Sequence, residues 1–296
     1  MGNHTIGEKA LARELSGASG DTSTVRVHGV WLRDAAGNFV RLVLGVLVGL
    51  AIWQVVAMVF NAGGSSLGFP YPLQAFRQLG GYLFAGESLY GFSIYSHIFA
   101  SLKRLFVAFA LAAFVGITLG SLLGYFERIY QIGMVPVALY QMIPGLAWLP
   151  VALLLFGLGD ESAIFIIFAV SSMVITIGVS SGIRMVPPVM VNAAKMTGAN
   201  GLTIFASVLV PHAAASIVNA LRLGMSSAWR VLIAAEMIVG TGLGIGYAIG
   251  LTRDLLNYVG SFACITIICL IGLFFDRVVL ASLERTIRHR LGMEAR

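Results

Sequence analysis

The strongest chemistry in this chain sits inside an apolar stretch, LRLGMSSAWRVLIAAEMI (Leu221 to Ile238). At about 100° per residue, Arg222, Ser226, Trp229, Ile233 and Glu236 fall within roughly 80° of one another, with Arg230 off to the side. A charge in a bilayer core is costly unless it is paired or hydrated. Two readings follow. In one, the stripe lines a water-filled translocation path and an arginine attracts an anion. In the other it is structural: Glu236 neutralises a neighbouring span or Arg230, and Arg222 snorkels to the interface. Catalysis finds little support. A serine nucleophile in GMSSA (Gly224 to Ala228) needs a histidine at matching depth, and none of His4, His28, His97, His212 and His289 lies in the later span. Those histidines never pair at metal-ligand spacing. No Gly-Lys dipeptide occurs, so no phosphate-binding GxxxxGK[ST] loop exists. Gly240, Gly242, Gly244 and Gly246 never satisfy GxGxxG and read as a flexible external turn.

Those residues must be positioned by membrane helices. Only 11% of the 296 residues are charged and 58% are hydrophobic, with a mean hydropathy of +0.91. Soluble domains carry about 25% charged residues, so the composition implies an all-α polytopic membrane protein in contact with lipid. The net charge of +6 needs no nucleic acid, because membrane proteins keep Lys and Arg on cytoplasmic loops. Cys264 and Cys269 fit no redox or metal spacing and read as small hydrophobes.

Charge-free windows of span length set the organisation. Residues 1–38 form a polar tail without the apolar core of a signal peptide. Within a permease domain over 39–283, Leu42 to Phe60 is the first span and 61–97 an external segment carrying Arg77 and Glu87. Arg104 to Glu127, Arg128 to Asp160, Glu161 to Arg184, Pro211 to Gly240 and Asp254 to Asp276 bracket five more; 284–296 is a basic tail. Six spans put both termini on one side. Most of the 19 basic residues lie on that side, which makes it cytoplasmic. Gly116, Gly120 and Gly124 recur every fourth residue, a spacing that lets another helix approach closely in lipid. Pro136, Pro144 and Pro150 interrupt the third span, around Tyr140, Gln141 and Trp148. The freed carbonyls must face protein or water, so this region is either a packing kink or a substrate contact.

The segment NAAKMTGANGLTIFASVLVP (Asn192 to Pro211), within a cytoplasmic loop over 185–211, is too polar for lipid and too apolar for an idle linker. Pro187 and Pro188 end the preceding helix. A short helix, a turn and a second short helix are expected, with the next span starting near Pro211. Met196, Leu202, Ile204, Phe205 and Val208 need a partner surface or the bilayer. This segment resembles the EAA loop of ABC-importer permeases, in which EAA is followed by three residues, Gly, nine residues and I-x-L-P. Ala193, Ala194, Gly198 and Pro211 match at the right spacing; Val208 and Val210 stand for Ile and Leu; Asn192 replaces the usual Glu.

The resemblance narrows to permeases of the nitrate, taurine and aliphatic-sulfonate import family. It rests on HIFASLKRLF (His97 to Phe106), GITLGSLLG (Gly116 to Gly124), IPGLAWLPVALLLFGLG (Ile143 to Gly159), Leu221 to Ile238 and TGLGIGYAI (Thr241 to Ile249). It implies a type I importer permease of six helices in a bacterial inner membrane, acting as a homodimer. Two ATP-binding subunits would carry ATP and Mg, and a periplasmic or lipid-anchored binding protein would deliver the substrate. Asn192, Ala193, Ala194, Lys195, Gly198, Ala199, Leu202, Phe205 and Pro211 would couple to the ATPases. Gln141, Trp148, Arg222, Ser226, Trp229 and Glu236 would line the path of a small anion such as a sulfonate, taurine, nitrate or bicarbonate. An aromatic carboxylate or a neutral precursor is an alternative substrate. The rival mechanism is an ion-coupled transporter or channel, which usually shows two repeated halves.

Overall fold

The structure, a computed structural model, describes residues 23–63 and 68–275, with side chains described from residue 40 onward except at 42. The first 22 residues, the end of the sixth span and the 284–296 tail lie outside the described residues. The chain divides into two compact units near Pro72. In the first, α1 (Ser23–Ala62) is one helix of 40 residues, so 23–38 runs without a break into the first span. That stretch contains no proline, and a nucleated helix propagates across the isolated Gly29 and Gly37. Past its end the chain folds back. Asn61 donates from Nδ2 to the Phe69 carbonyl (3.0 Å) and accepts the Phe69 N–H (2.8 Å), and Trp53 Nε1 donates to the Pro70 carbonyl (2.9 Å).

The second unit contains α2 (Pro72–Phe84), α3 (Ile94–Tyr125), α4 (Glu127–Met142), a 3-10 turn (Gly145–Trp148), α5 (Leu149–Phe156) and α6 (Asp160–Arg184). These are followed by α7 (Pro188–Met196), α8 (Gly201–Val239), α9 (Ile245–Asp254) and α10 (Tyr258–Phe274). Among the described residues, four helices are long and apolar enough to cross a membrane: Val43–Ala62 of α1, α3, α6 and α8. A fifth crossing is available if α4 and the Gly145–Phe156 segment, bent by 98°, form one broken span. Of the three prolines expected to interrupt this region, only Pro144 sits at the break, where it holds Ile143 extended. Pro136 lies inside α4, and Pro150 opens α5, a position that tolerates proline. The apolar α10 is 17 residues long and ends where the described residues end.

The second short helix expected in the Asn192–Pro211 segment is not separate. Gly201 starts a helix that continues through a π-turn at Phe205–Leu209 and past Pro211 to Val239. Proline lacks an N–H and crowds the carbonyl four residues back. The wider π-turn, in which the Val210 N–H bonds the Phe205 carbonyl, accommodates it without a break.

The core is set by close backbone approach. A Cβ on Gly116 would lie 2.7 Å from Ile175 Cβ, one on Gly120 2.7 Å from Val179 Cβ, and one on Gly124 2.8 Å from Ile183 Cβ. Both series rise by four, so α3 and α6 run parallel. On the other side of α6, Gly178 meets Ala220 and Gly182 meets Ser216, so α8 runs antiparallel to it. Caps and charges fix the ends. Ser93 caps α3 and Asn200 caps α8. Asp160 and Glu161 open α6 and Arg184 closes it, in keeping with its dipole.

Gly120→Ala should therefore lower stability by roughly 1–3 kcal/mol through overpacking, read as a lower thermal midpoint in detergent. Gly80→Ala, at a helical glycine with nothing within 4 Å of the new Cβ, should be neutral or stabilising.

Candidate functional site

Two sites stand out at opposite ends of the α3–α6–α8 core. At the end where α6 finishes and α8 begins, α7 is tied to α8 by a tight turn. The Ala199 N–H bonds the Ala194 carbonyl (3.1 Å) and the Gly198 N–H the Lys195 carbonyl (3.0 Å), the paired bonds of a Schellman motif. The residue after the cap must be left-handed, and Gly198 has φ +82°. Ala194, Ala199, Phe205 and Val208 face inward, onto a cluster with Ile183, Ile204 and Leu209 at its centre. Asn192, Ala193, Lys195, Gly198, Leu202 and Pro211 are exposed. The outer surface is strongly apolar: Met196 is 88% exposed and Leu202 82%, and Met185 and Val189 are exposed as well. The base is braced by Arg184, whose Nη1 donates to Glu127 Oε2 (2.7 Å) and whose guanidinium lies 3.8 Å from the Tyr130 ring centroid.

At the other end lies a buried charge cluster. Glu236 has no exposed surface and Arg104 only 3%. Arg104 Nη1 donates to Glu236 Oε1 (2.6 Å), while its Nε and Nη2 reach Asp160 Oδ1 (2.8 and 2.7 Å). Ser101 Oγ lies 2.9 and 2.8 Å from the two Glu236 oxygens and accepts the Ile245 N–H (2.8 Å); the Gly246 N–H donates to Oε2 (3.0 Å). His97 Nε2 donates to the Leu89 carbonyl (3.2 Å), leaving Nδ1 to accept the Gly244 N–H (3.1 Å).

Of the four glycines expected in a flexible turn, Gly240 and Gly242 are exposed with open space around them, whereas Gly244 and Gly246 form a fitted cover. Gly244, at φ +143°, has no room for a Cβ, which would meet the Glu236 carboxyl at 2.6 Å. This closeness lets two backbone amides reach the Glu236–Ser101 pair. The segment beyond the turn is also ordered, as α9, packed on α8 at Gly246 and Gly250.

The residues expected on a translocation path do not converge on one place. Ser226 and Trp229 share a cleft with Leu105, Met225, Arg230, Gly272 and Phe275, enclosing about 150 Å3. Arg222 is partly buried elsewhere along α8, and Glu236 belongs to the charge cluster. Gln141 is exposed beside the α4 break. Trp148 stacks on Tyr140 across that break (centroids 4.4 Å, 21°), and its buried indole N–H has no partner among the described residues. Sequence reasoning missed Ser101, Arg104 and Asp160, because Arg104 and Asp160 served only as limits of charge-free windows. Their signal was present: His97, Ser101 and Arg104 are spaced four and three apart, one face of a helix.

Loss of the Glu236 charge leaves the buried Arg104 with Asp160 alone, so the cost stays below the roughly 3–5 kcal/mol of a fully stranded buried charge. Glu236→Gln should therefore lower the thermal midpoint of the purified protein by several degrees. The double variant Glu236→Gln with Arg104→Met should lose clearly less than the sum of the two single changes. Unfolding followed by intrinsic tryptophan fluorescence in detergent reads both.

Residues 112–289 match a family model described as the binding-protein-dependent transport system inner membrane component. A putative ABC transporter permease protein of Methanocaldococcus jannaschii is 39% identical over 185 residues, 62% of this chain and 69% of that one. The nitrate import permease protein NrtB of Synechocystis is 32% identical over 248 residues, covering 81% and 86%. The taurine transport system permease protein TauC of Escherichia coli is 30% identical over 248 residues, covering 83% and 88%. In fold, the chain is similar to the MetNI methionine ABC transporter in an inward-facing conformation, with TM-score 0.57 and 18% identity over 64% of this chain and 93% of that one. The chain belongs to the family of binding-protein-dependent inner membrane components, as a multi-pass permease subunit of an ABC importer.

Proposed function

We propose that this permease carries a small anion of the nitrate, bicarbonate, taurine or sulfonate class, delivered from outside by a binding protein. The observation that carries the mechanism is the surface formed by α7 and the start of α8. Its apolar side chains, Met185, Val189, Met196 and Leu202, are strongly exposed, and Lys195 lines a neighbouring groove with Asn192, Glu127 and Arg184. An ATP-binding subunit is the partner that fits such a patch on the cytoplasmic side of an importer. α8 continues from this patch without a break for 39 residues, about 58 Å of helix. A push at Leu202 is thus delivered to the far end of the span. Closure of the ATPases, which hold ATP and Mg, rocks the spans between inward- and outward-open states.

In this reading six spans are used: Val43–Ala62, α3, the bent α4–α5 pair, α6, α8 and α10. Both termini then lie with α7 in the cytoplasm. One chain supplies one coupling segment, and an importer with two ATPases needs two, so the working unit is a homodimer. Asn192, in place of an acidic residue, docks through hydrogen bonds rather than an ion pair. Family membership favours this ATP-driven mechanism over ion-coupled transport.

Co-purification from native membranes tests the reading. An ATPase should accompany the tagged chain in equal amount. Met196→Glu and Leu202→Glu, at exposed positions, should leave the thermal midpoint of the chain unchanged and reduce bound ATPase at least tenfold. Absence of any ATPase from the wild type, or full retention by both variants, would overturn it.

A further inference from the structure

α6 and α8 give each other a depth scale. α6 spans 25 residues between the acidic pair Asp160 and Glu161 and the basic Arg184, which mark the two interfaces. The antiparallel contacts Gly178–Ala220 and Ile175–Gly224 place Ser172, the middle of α6, level with Ser226 and Ser227 on α8. Arg230, three to four residues further on, is therefore only about 5 Å from the mid-plane. The nearer interface lies roughly 10 Å beyond it, given a hydrocarbon half-thickness of ~15 Å. An arginine stem does not snorkel that far.

Yet Arg230 is exposed. Its side-chain partner among the described residues is Ser227, through a long 3.4 Å hydrogen bond. No carboxylate there neutralises it, unlike Arg104, which has two. A guanidinium so placed cannot face hydrocarbon and must face water or another polar surface. Two adjoining clefts meet at it. One is walled by Leu105, Met225, Trp229 and Phe275; the other runs along α8 and α10 past Ile233, Ile268 and Cys269. Trp229 packs closely over Gly272, where a Cβ would lie 2.9 Å from its Nε1, and both residues line the two clefts.

We propose that Arg230, assisted by the Ser226 and Ser227 hydroxyls, is the point on the translocation path that selects a small, singly charged oxyanion. The proposal deepens the importer reading and rests on it. A cation set in aromatic and aliphatic walls of low dielectric strengthens attraction to an anion. Desolvation of a multiply charged anion between such walls costs far more, and a single cation leaves part of its charge unbalanced. Nitrate and sulfonate head groups fit; sulfate and phosphate dianions are disfavoured.

Cys269, which is exposed and lines the same groove, is a built-in reporter, whereas Cys264 is buried. In the co-purified complex, the reaction rates of Cys269 with sulfonatoethyl and trimethylammonioethyl methanethiosulfonate are compared, with Cys269→Ala as the blank. Their ratio is independent of how much thiolate is present. The anionic reagent should react at least fivefold faster with the wild type. Arg230→Gln should bring the ratio close to one, and Arg230→Lys should retain the preference. In the wild type, nitrate or ethanesulfonate should slow labelling, and sulfate at equal concentration should not. A ratio indifferent to Arg230, or a Cys269 that neither reagent reaches with or without nucleotide, overturns the proposal. Failure of the importer reading is seen separately, as the absence of an ATPase from the preparation.

Discussion

Ile175 has no exposed surface and lies between Gly116 of α3 and Gly224 of α8. Its position is the constraint on which the rest of the protein depends. In lipid, apolar side chains gain little by leaving hydrocarbon for protein, so helices associate by close packing. Glycines at 116, 120 and 124 let α6 press its backbone against α3, and Gly178 and Gly182 do the same toward α8. Once α6 is held on both sides, its ends define the two functional surfaces. Arg184 braces the α7 end through Glu127, and Asp160 holds Arg104 at the other.

The protein handles its charges within the helices in different ways. Arg104 and Glu236 are buried together and saturated by Ser101, Asp160 and the Gly246 amide, which suits a joint between elements. Arg230 is left open at mid-depth on an uneven groove, which suits an encounter with something that passes. The difference lies in geometry and not in residue type. Glu236 meets α3 where His97, Ser101 and Arg104 share a face, whereas Arg230 points where α8 and α10 part.

α8 links both ends. A proline at its eleventh residue would ordinarily end a helix, yet the π-turn before it keeps the rod continuous from the exposed Leu202 to the buried Glu236. In the proposed cycle this continuity is what makes α7 useful. A flexible hinge at Pro211 would absorb the motion that the ATPases supply.

The sequence by itself determined the membrane class, the placement of the apolar stretches and the glycine turn at 198, because each follows from local composition or from a backbone angle that one residue type prefers. The EAA-like spacing also made the coupling segment recognisable. Only the tertiary structure decided which charges are partners. Arg104 and Glu236 are 132 residues apart, and no local periodicity joins them. It also turned Gly244 and Gly246 from part of a loose loop into a fitted cover, because Gly244 is constrained by a carboxyl brought to it from α8. The fate of Pro211 was likewise decided in three dimensions: the same residue can begin a helix or sit within one, and packing of Ile204 and Leu209 on the α6 end holds both sides of the π-turn in one rod.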